Sequence, residues 1–118
     1  MSDYNLLGPA RQEMARILEW SERHWGEAAA DRYAELLFQA MRDVAEDPFR
    51  VGSKALGYID ENARFYHMKH SKSRVEDPVD EPRHFVVYEP ASDGVDILGF
   101  FYDGIPMAIG LRRVLGDQ

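Results

Sequence analysis

Residues 9–47 carry two helical periodicities with a single glycine between them, and Pro48 closes the second. In "GPARQEMARILEWSERHWG", Met14, Ile17, Leu18, Ser21 and Trp25 recur at intervals of three and four, with Arg11, Glu13, Arg16 and Glu22 on other faces. Pro9 suits a first helical turn, where its missing N–H costs nothing. Gly26 then ends or bends this helix. In "EAAADRYAELLFQAMRDVAEDP", Ala29, Tyr33, Leu36, Leu37, Ala40 and Val44 form a second stripe, which Pro48 stops. A joint this short predicts an antiparallel helical hairpin. Ala28, Ala29 and Ala30 are expected to let the two backbones approach closely, and Trp20 and Trp25 to anchor the hairpin in the core.

The rest of the chain reads as strands. Tyr4–Leu7 is a short apolar run closed by Gly8. Residues 49–62 hold turn formers and predict a loop, 63–71 predict a strand, and 72–83, with two prolines and several acids, predict a flexible connection. "HFVVYEP" (84–90) is β-branched and aromatic. Ser92, Asp93 and Gly94 separate it from the apolar run Val95–Tyr102, a strong hairpin signal. Val95–Tyr102 predicts a strand covered on both faces. The tail from Ile105 onward is read as a short helix or an extension. The order β–α–α–β–β–β gives an α+β domain spanning 1–118, with an N-terminal strand and a helical hairpin packed on a C-terminal antiparallel sheet.

Composition bounds the chemistry. The 118 residues include no cysteine, which excludes disulfides, thiolate metal sites and cysteine nucleophiles. The formal net charge of -7 argues against broad binding to nucleic acid, and no direct DNA binding is expected. No apolar run reaches the length of a membrane span and no signal peptide is visible, so a cytoplasmic protein without membrane contact is expected.

Against that acidic background, "RFYHMKHSKSR" (64–74) holds Arg64, Lys69, Lys72 and Arg74 and no acid. On a strand, His67 and His70 point to opposite faces, so their H-x-x-H spacing does not make a metal site, and neither metal nor cofactor is expected. Strand alternation sends Tyr66 and Met68 inward and turns Phe65, His67 and Lys69 outward as a docking surface or a solvated face. Phe100, Phe101 and Ile105 form an apolar cluster that reads as core or as a groove for a partner helix. Arg64, Lys69, Arg83, His84 and Tyr102 are the candidate groups for cleaving RNA, a reaction that needs a base, an acid and cations around the phosphate.

The ordered set of motifs resembles the RelE/ParE superfamily of type II toxins, and its ParE branch more than its RelE branch. The resemblance rests on Trp25-Gly26 at the helical joint, Tyr33 in the second helix and the Val44-Ala45-Glu46-Asp47-Pro48 ending. The basic strand from Arg64, His84 to Tyr88, and the Asp93-Gly94-Val95-Asp96-Ile97-Leu98 hairpin complete it. Gly99, Tyr102, Gly104 and Pro106 stand where ParE-like chains often carry Arg, His, Arg and an acid. The resemblance implies a plasmid-stabilising toxin held by a cognate, ParD-like or other DNA-binding antitoxin. Phe65, His67, Lys69, Phe100, Phe101 and Ile105 would be the antitoxin contacts. For the ParE branch it implies inhibition of DNA gyrase by binding; for the RelE branch, cleavage of mRNA on the ribosome. A third reading keeps the fold and the partner without toxicity.

Overall fold

The computed structural model describes residues 3–57 and 60–116. Residues 58 and 59 of the expected 49–62 loop, residues 117–118 of the tail and the first two residues lie outside the described residues. The elements are β1 (Asp3–Leu6), α1 (Gly8–Trp25), α2 (Glu27–Glu46), β2 (Ser53–Ala55), β3 (Arg64–His67), a 3₁₀ segment (Met68–Arg74), β4 (His84–Ala91), β5 (Gly94–Tyr102) and α3 (Met107–Leu115). The helical hairpin is present. Gly26 joins its two halves at φ +96°, a backbone conformation that glycine reaches without steric cost. Of the three alanines, only Ala30 is buried.

The five strands form one sheet in the order β1-β5-β4-β3-β2. The β2–β3, β3–β4 and β4–β5 pairings are antiparallel, as expected, but β1 pairs with β5 in parallel. The antiparallel expectation for the C-terminal sheet therefore holds, and the N-terminal strand joins that sheet in parallel at the β5 edge. The chain leaves β1 directly into α1 and returns through α2 and the other strands, so β1 lies beside a strand running its own way. β2 was not anticipated, because three residues inside a turn-rich stretch give no readable alternation.

Strand period two divides the core into two clusters. On one face, Tyr66, Val86, Tyr88, Ile97 and Phe100 pack under Leu36, Leu37, Ala40, Met41 and Val44 of α2 and under Met14 of α1. On the other, Phe65, Val87 and Phe101 pack with Leu56, Ala63 and Leu111 of α3. The tail is thus a helix that covers the second face. A Cβ on Gly99 of β5 would lie 2.8 Å from Val114 Cγ1, and one on Gly110 of α3 would lie 2.3 Å from the Phe101 ring. These two glycines let α3 settle against the strand. Among the described residues, no helix is long and apolar enough to cross a membrane.

Three sequence expectations change here. The strand expected over 63–71 ends at His67, and the chain coils into the 3₁₀ segment. The cause is a buried polar knot: Ser71 Oγ donates to Asp43 Oδ2 (2.6 Å) and Gln39 Nε2 to Oδ1 (2.8 Å), while Arg74 Nε forms an ion pair with Oδ1 at 2.9 Å. Tyr66 Oη adds a 2.9 Å bond to Ser71. Phe65 and His67 do not face outward: they are 7% and 6% exposed, because α3 and Phe85 cover that face. Trp20 and Trp25 are not core anchors: they are 51% and 71% exposed on α1. Ile17 and Leu18, half-buried against the core cluster, fill the space assigned to them.

Candidate functional site

The start of β4 and the end of β5 lie side by side, with His84 opposite Tyr102. The antiparallel pairing brings Arg83, His84, Tyr102 and Asp103 together, and His67 reaches them from the end of β3. Arg83 Nε donates to Asp103 Oδ1 at 2.7 Å, and its guanidinium lies 5.0 Å from the Tyr102 ring centroid. His67 Nε2 lies 2.7 Å from Asp103 Oδ2, and its Nδ1 accepts the Lys69 backbone N–H at 3.0 Å. With Nδ1 accepting, the ring's single proton sits on Nε2 and is donated to Asp103.

Tyr33 ties this end of the sheet to α2. Its hydroxyl oxygen accepts the Arg83 backbone N–H at 3.0 Å and lies 2.6 Å from His84 Nδ1. With the phenol donating to Nδ1, the hydroxyl proton has an acceptor and the neutral His84 ring carries its own proton on Nε2. Burial dominates the titration of both groups. It pushes the Tyr33 phenol up to about 12 and the His84 imidazole down to about 4, so both are neutral at pH 7. Asp103 shows the opposite balance. Burial alone would raise its carboxyl, but the His67 and Arg83 hydrogen bonds together hold it below the usual carboxylate range.

Two clefts flank this cluster. One, of about 470 Å³, runs from His67, Lys69 and Arg83 past Phe85 and Asp103 to Ile105 and Met107. The other, of about 410 Å³, lies between α1 and α3 and is floored by Leu98–Tyr102. His84 lines the second, and Ile105 and Phe101 line both.

The candidates for RNA cleavage do not all converge. Arg83, His84 and Tyr102 meet, and Lys69 stands exposed at the rim of the first cleft. Arg64 is at the other end of β3, donating to Pro48 O (3.0 Å) and Ser53 Oγ (2.8 Å) and lying over the Phe49 ring. It holds the β2 corner. Within the cluster, each histidine has its one lone pair occupied, by an amide N–H on His67 and a phenol on His84. Neither presents a free base in this arrangement.

The expected docking residues likewise do not form one surface. Phe100 is buried under the α1 and α2 face, while Phe65 and Phe101 are buried under α3. Lys69 is exposed and Ile105 half-buried. The residues that sequence reasoning missed are Asp103, which organises the cluster, and Tyr33 as its tie to α2. Tyr33 stood out in the sequence only as part of a helical stripe and as a family marker, and nothing in the sequence singled out Asp103.

The comparison with known families fits this architecture. The model for the ParE toxin of type II toxin–antitoxin systems (parDE) matches residues 4–102, from β1 to the end of β5. The chain belongs to the ParE toxin family. No curated protein matches it. As a family member it is a toxin of the type II class, and membership implies an antitoxin partner. The matched residues hold the sheet except for Asp3 of β1, together with the helical hairpin, and α3 falls after them.

Proposed function

We propose that this toxin acts in the cytoplasm by binding DNA gyrase and stalling its cycle, and that a ParD-like antitoxin holds it inactive. The family match over residues 4–102 carries this reading. The chemistry of the β4–β5 end supports binding over bond cleavage, because the ring nitrogens of His67 and His84 that could act as bases are already engaged in hydrogen bonds. The net charge of -7 also suits a protein partner better than an RNA surface.

The test is induction without antitoxin, followed by supercoiling assays with purified gyrase and purified toxin. Growth arrest with loss of supercoiling is the expected result; undisturbed supercoiling at saturating toxin would refute it. The convergence of Arg83, His84 and Tyr102 favours one second reading, cleavage of mRNA on the ribosome. Induced cells then contain truncated transcripts while gyrase stays active. Normal growth with soluble protein would point instead to a non-toxic module.

A further inference from the structure

The turn between α2 and β2 shows its apolar side chains to water while its polar groups are tied to the protein. Among the described residues, Val51 is the most exposed large apolar side chain, at 96%, and Phe49 is 67% exposed. Residues of these types are ordinarily buried. Looseness does not explain them, because the backbone that carries them is braced. Pro48 O accepts from Arg64 Nε at 3.0 Å and from the Tyr88 hydroxyl. The Phe49 N–H donates to Asp47 Oδ1 and the Arg50 N–H to Asp47 O, both at 3.2 Å. Arg50 O accepts from Ser53 twice, from its N–H at 3.0 Å and its Oγ at 2.7 Å. Gly52 takes φ +99°, and the His70 ring closes over it so tightly that a Cβ there would lie 2.9 Å from the ring. The Phe49 ring is supported as well, by the Arg64 guanidinium 4.7 Å from its centroid.

A turn held in this way has little freedom left to lose on binding. Rigid apolar anchors displayed to solvent are what the centre of an interface uses. The charge around the turn is uneven. Glu46 and Asp47 are exposed on its α2 side, and Lys54, Lys69 and His70 on its β2 side. Burial lowers the His70 pKa, and Lys69, His67, Arg50 and Lys54 lower it further, so the β2 side is positive. This is where the basic island of an otherwise acidic chain comes to the surface.

We infer that this turn is the contact with the toxin's protein target: Phe49 and Val51 enter an apolar socket on that protein, and Lys54 and Lys69 meet carboxylates at the rim of the socket. The partner rests on the gyrase reading above; the turn, its bracing and its charge come from this fold. An inhibitor that works without bond chemistry holds its target by contact alone. A fixed apolar pair with a cationic flank supplies both the buried centre and the charge complementarity such a contact needs.

The test uses purified full-length toxin, purified gyrase and the product of the reading frame adjoining the toxin gene. The double variant Phe49→Ser/Val51→Ser is expected to need at least about tenfold more protein for half-inhibition of supercoiling, while its complex with the antitoxin keeps wild-type affinity. Lys54→Glu is expected to cost about threefold and to weaken the salt dependence of inhibition. Trp25→Ser, which removes an equally exposed aromatic from α1, is expected to change nothing. A double variant that inhibits as the wild type does would overturn the turn as the contact and leave the gyrase reading standing. A wild-type toxin that leaves supercoiling untouched would overturn that reading and the partner with it. Loss of antitoxin binding with inhibition retained would assign the turn to the antitoxin and reject the proposal. A wild-type dimer that the double variant abolishes, with inhibition retained, would assign it to a second copy and reject the proposal equally. Should Phe49→Ser disturb Arg64 and the fold, Val51→Ser alone decides the matter, with a loss of about threefold expected from a side chain almost wholly in water.

Discussion

Two aspartates in this protein hold similar company and do different work. Asp43 on α2 accepts from Ser71 and Gln39 and pairs with the Arg74 guanidinium at 2.9 Å, with Arg50 3.9 Å away, and its side chain is 1% exposed. Asp103, at the end of β5, accepts from His67 and Arg83, and its side chain is 22% exposed. The first sits beneath the 3₁₀ segment and fixes it to α2. The second sits where a cleft opens, and what it fixes is the orientation of a histidine and an arginine. Burial separates a staple from a positioning group when the partners are of the same kind.

The largest effect expected from that contrast is on stability at Asp43. Asp43→Asn keeps the shape, removes the buried charge, and sets an amide N–H against Ser71 or Arg74. Leaving buried hydrogen-bonding groups mismatched costs about 3 kcal/mol here. For a chain of this size that lowers the melting temperature by roughly 10 °C or more. Thermal unfolding monitored by circular dichroism reads it directly. A shift of only a few degrees would show that the knot contributes little and that the 3₁₀ segment is held by Met68 and Tyr66 alone.

The same contrast explains what sequence could reveal. The helical hairpin was legible because Leu36, Leu37, Ala40 and Val44 repeat at helical spacing and all are buried. The β4–β5 hairpin was legible because Asp93-Gly94 separates two β-branched, aromatic runs. These are local signals. The knot around Asp43 joins residues up to 31 positions apart, and the Tyr33–His84 bond joins residues 51 apart. No spacing rule finds such pairs. The burial of Phe65 and His67 was illegible for another reason. Alternation says which residues share a face but not whether a helix covers it, and the cover, α3, comes from a tail that reads equally as helix or extension. The exposed tryptophans fail in the opposite direction, since helical periodicity alone cannot distinguish the edge of an apolar stripe from its centre.

A second, intermediate effect separates the two regions by pH. The large shift lies at the β4–β5 end, on His84, although burial also lowers the pKa of His70 on the 3₁₀ segment. His84 titrates near 4 in the folded protein, below its ordinary 6.5, because it is buried. As pH falls from about 6.5, the unfolded chain takes up this proton before the folded one does. The stability contributed by neutral His84 is therefore complete above about pH 6.5 and is lost progressively toward pH 4. The loss is about 2–3 kcal/mol when complete. Urea unfolding at pH 7, 6 and 5 measures the slope. His84→Asn, whose amide oxygen can still accept from Tyr33, is expected to flatten it. An unchanged slope in that variant would assign the acid sensitivity to other groups.

The smallest stability effect belongs to Asp103→Asn, the partner experiment to Asp43→Asn. This side chain and Arg83 are both reached by water, so the lost attraction is screened, and about 1 kcal/mol or less is expected. The consequence falls on order instead. Asparagine keeps one acceptor oxygen, so the Nε2–H of His67 and the Nε–H of Arg83 can no longer both be satisfied, and one of them faces an amide NH2. Faster exchange of the His67 ring proton, read by NMR, is the expected signature, with the melting temperature nearly unchanged. If the two asparagine variants destabilised the fold equally, Asp103 would be a second staple, and the open end of the sheet would be no freer to serve a partner than the buried side of α2.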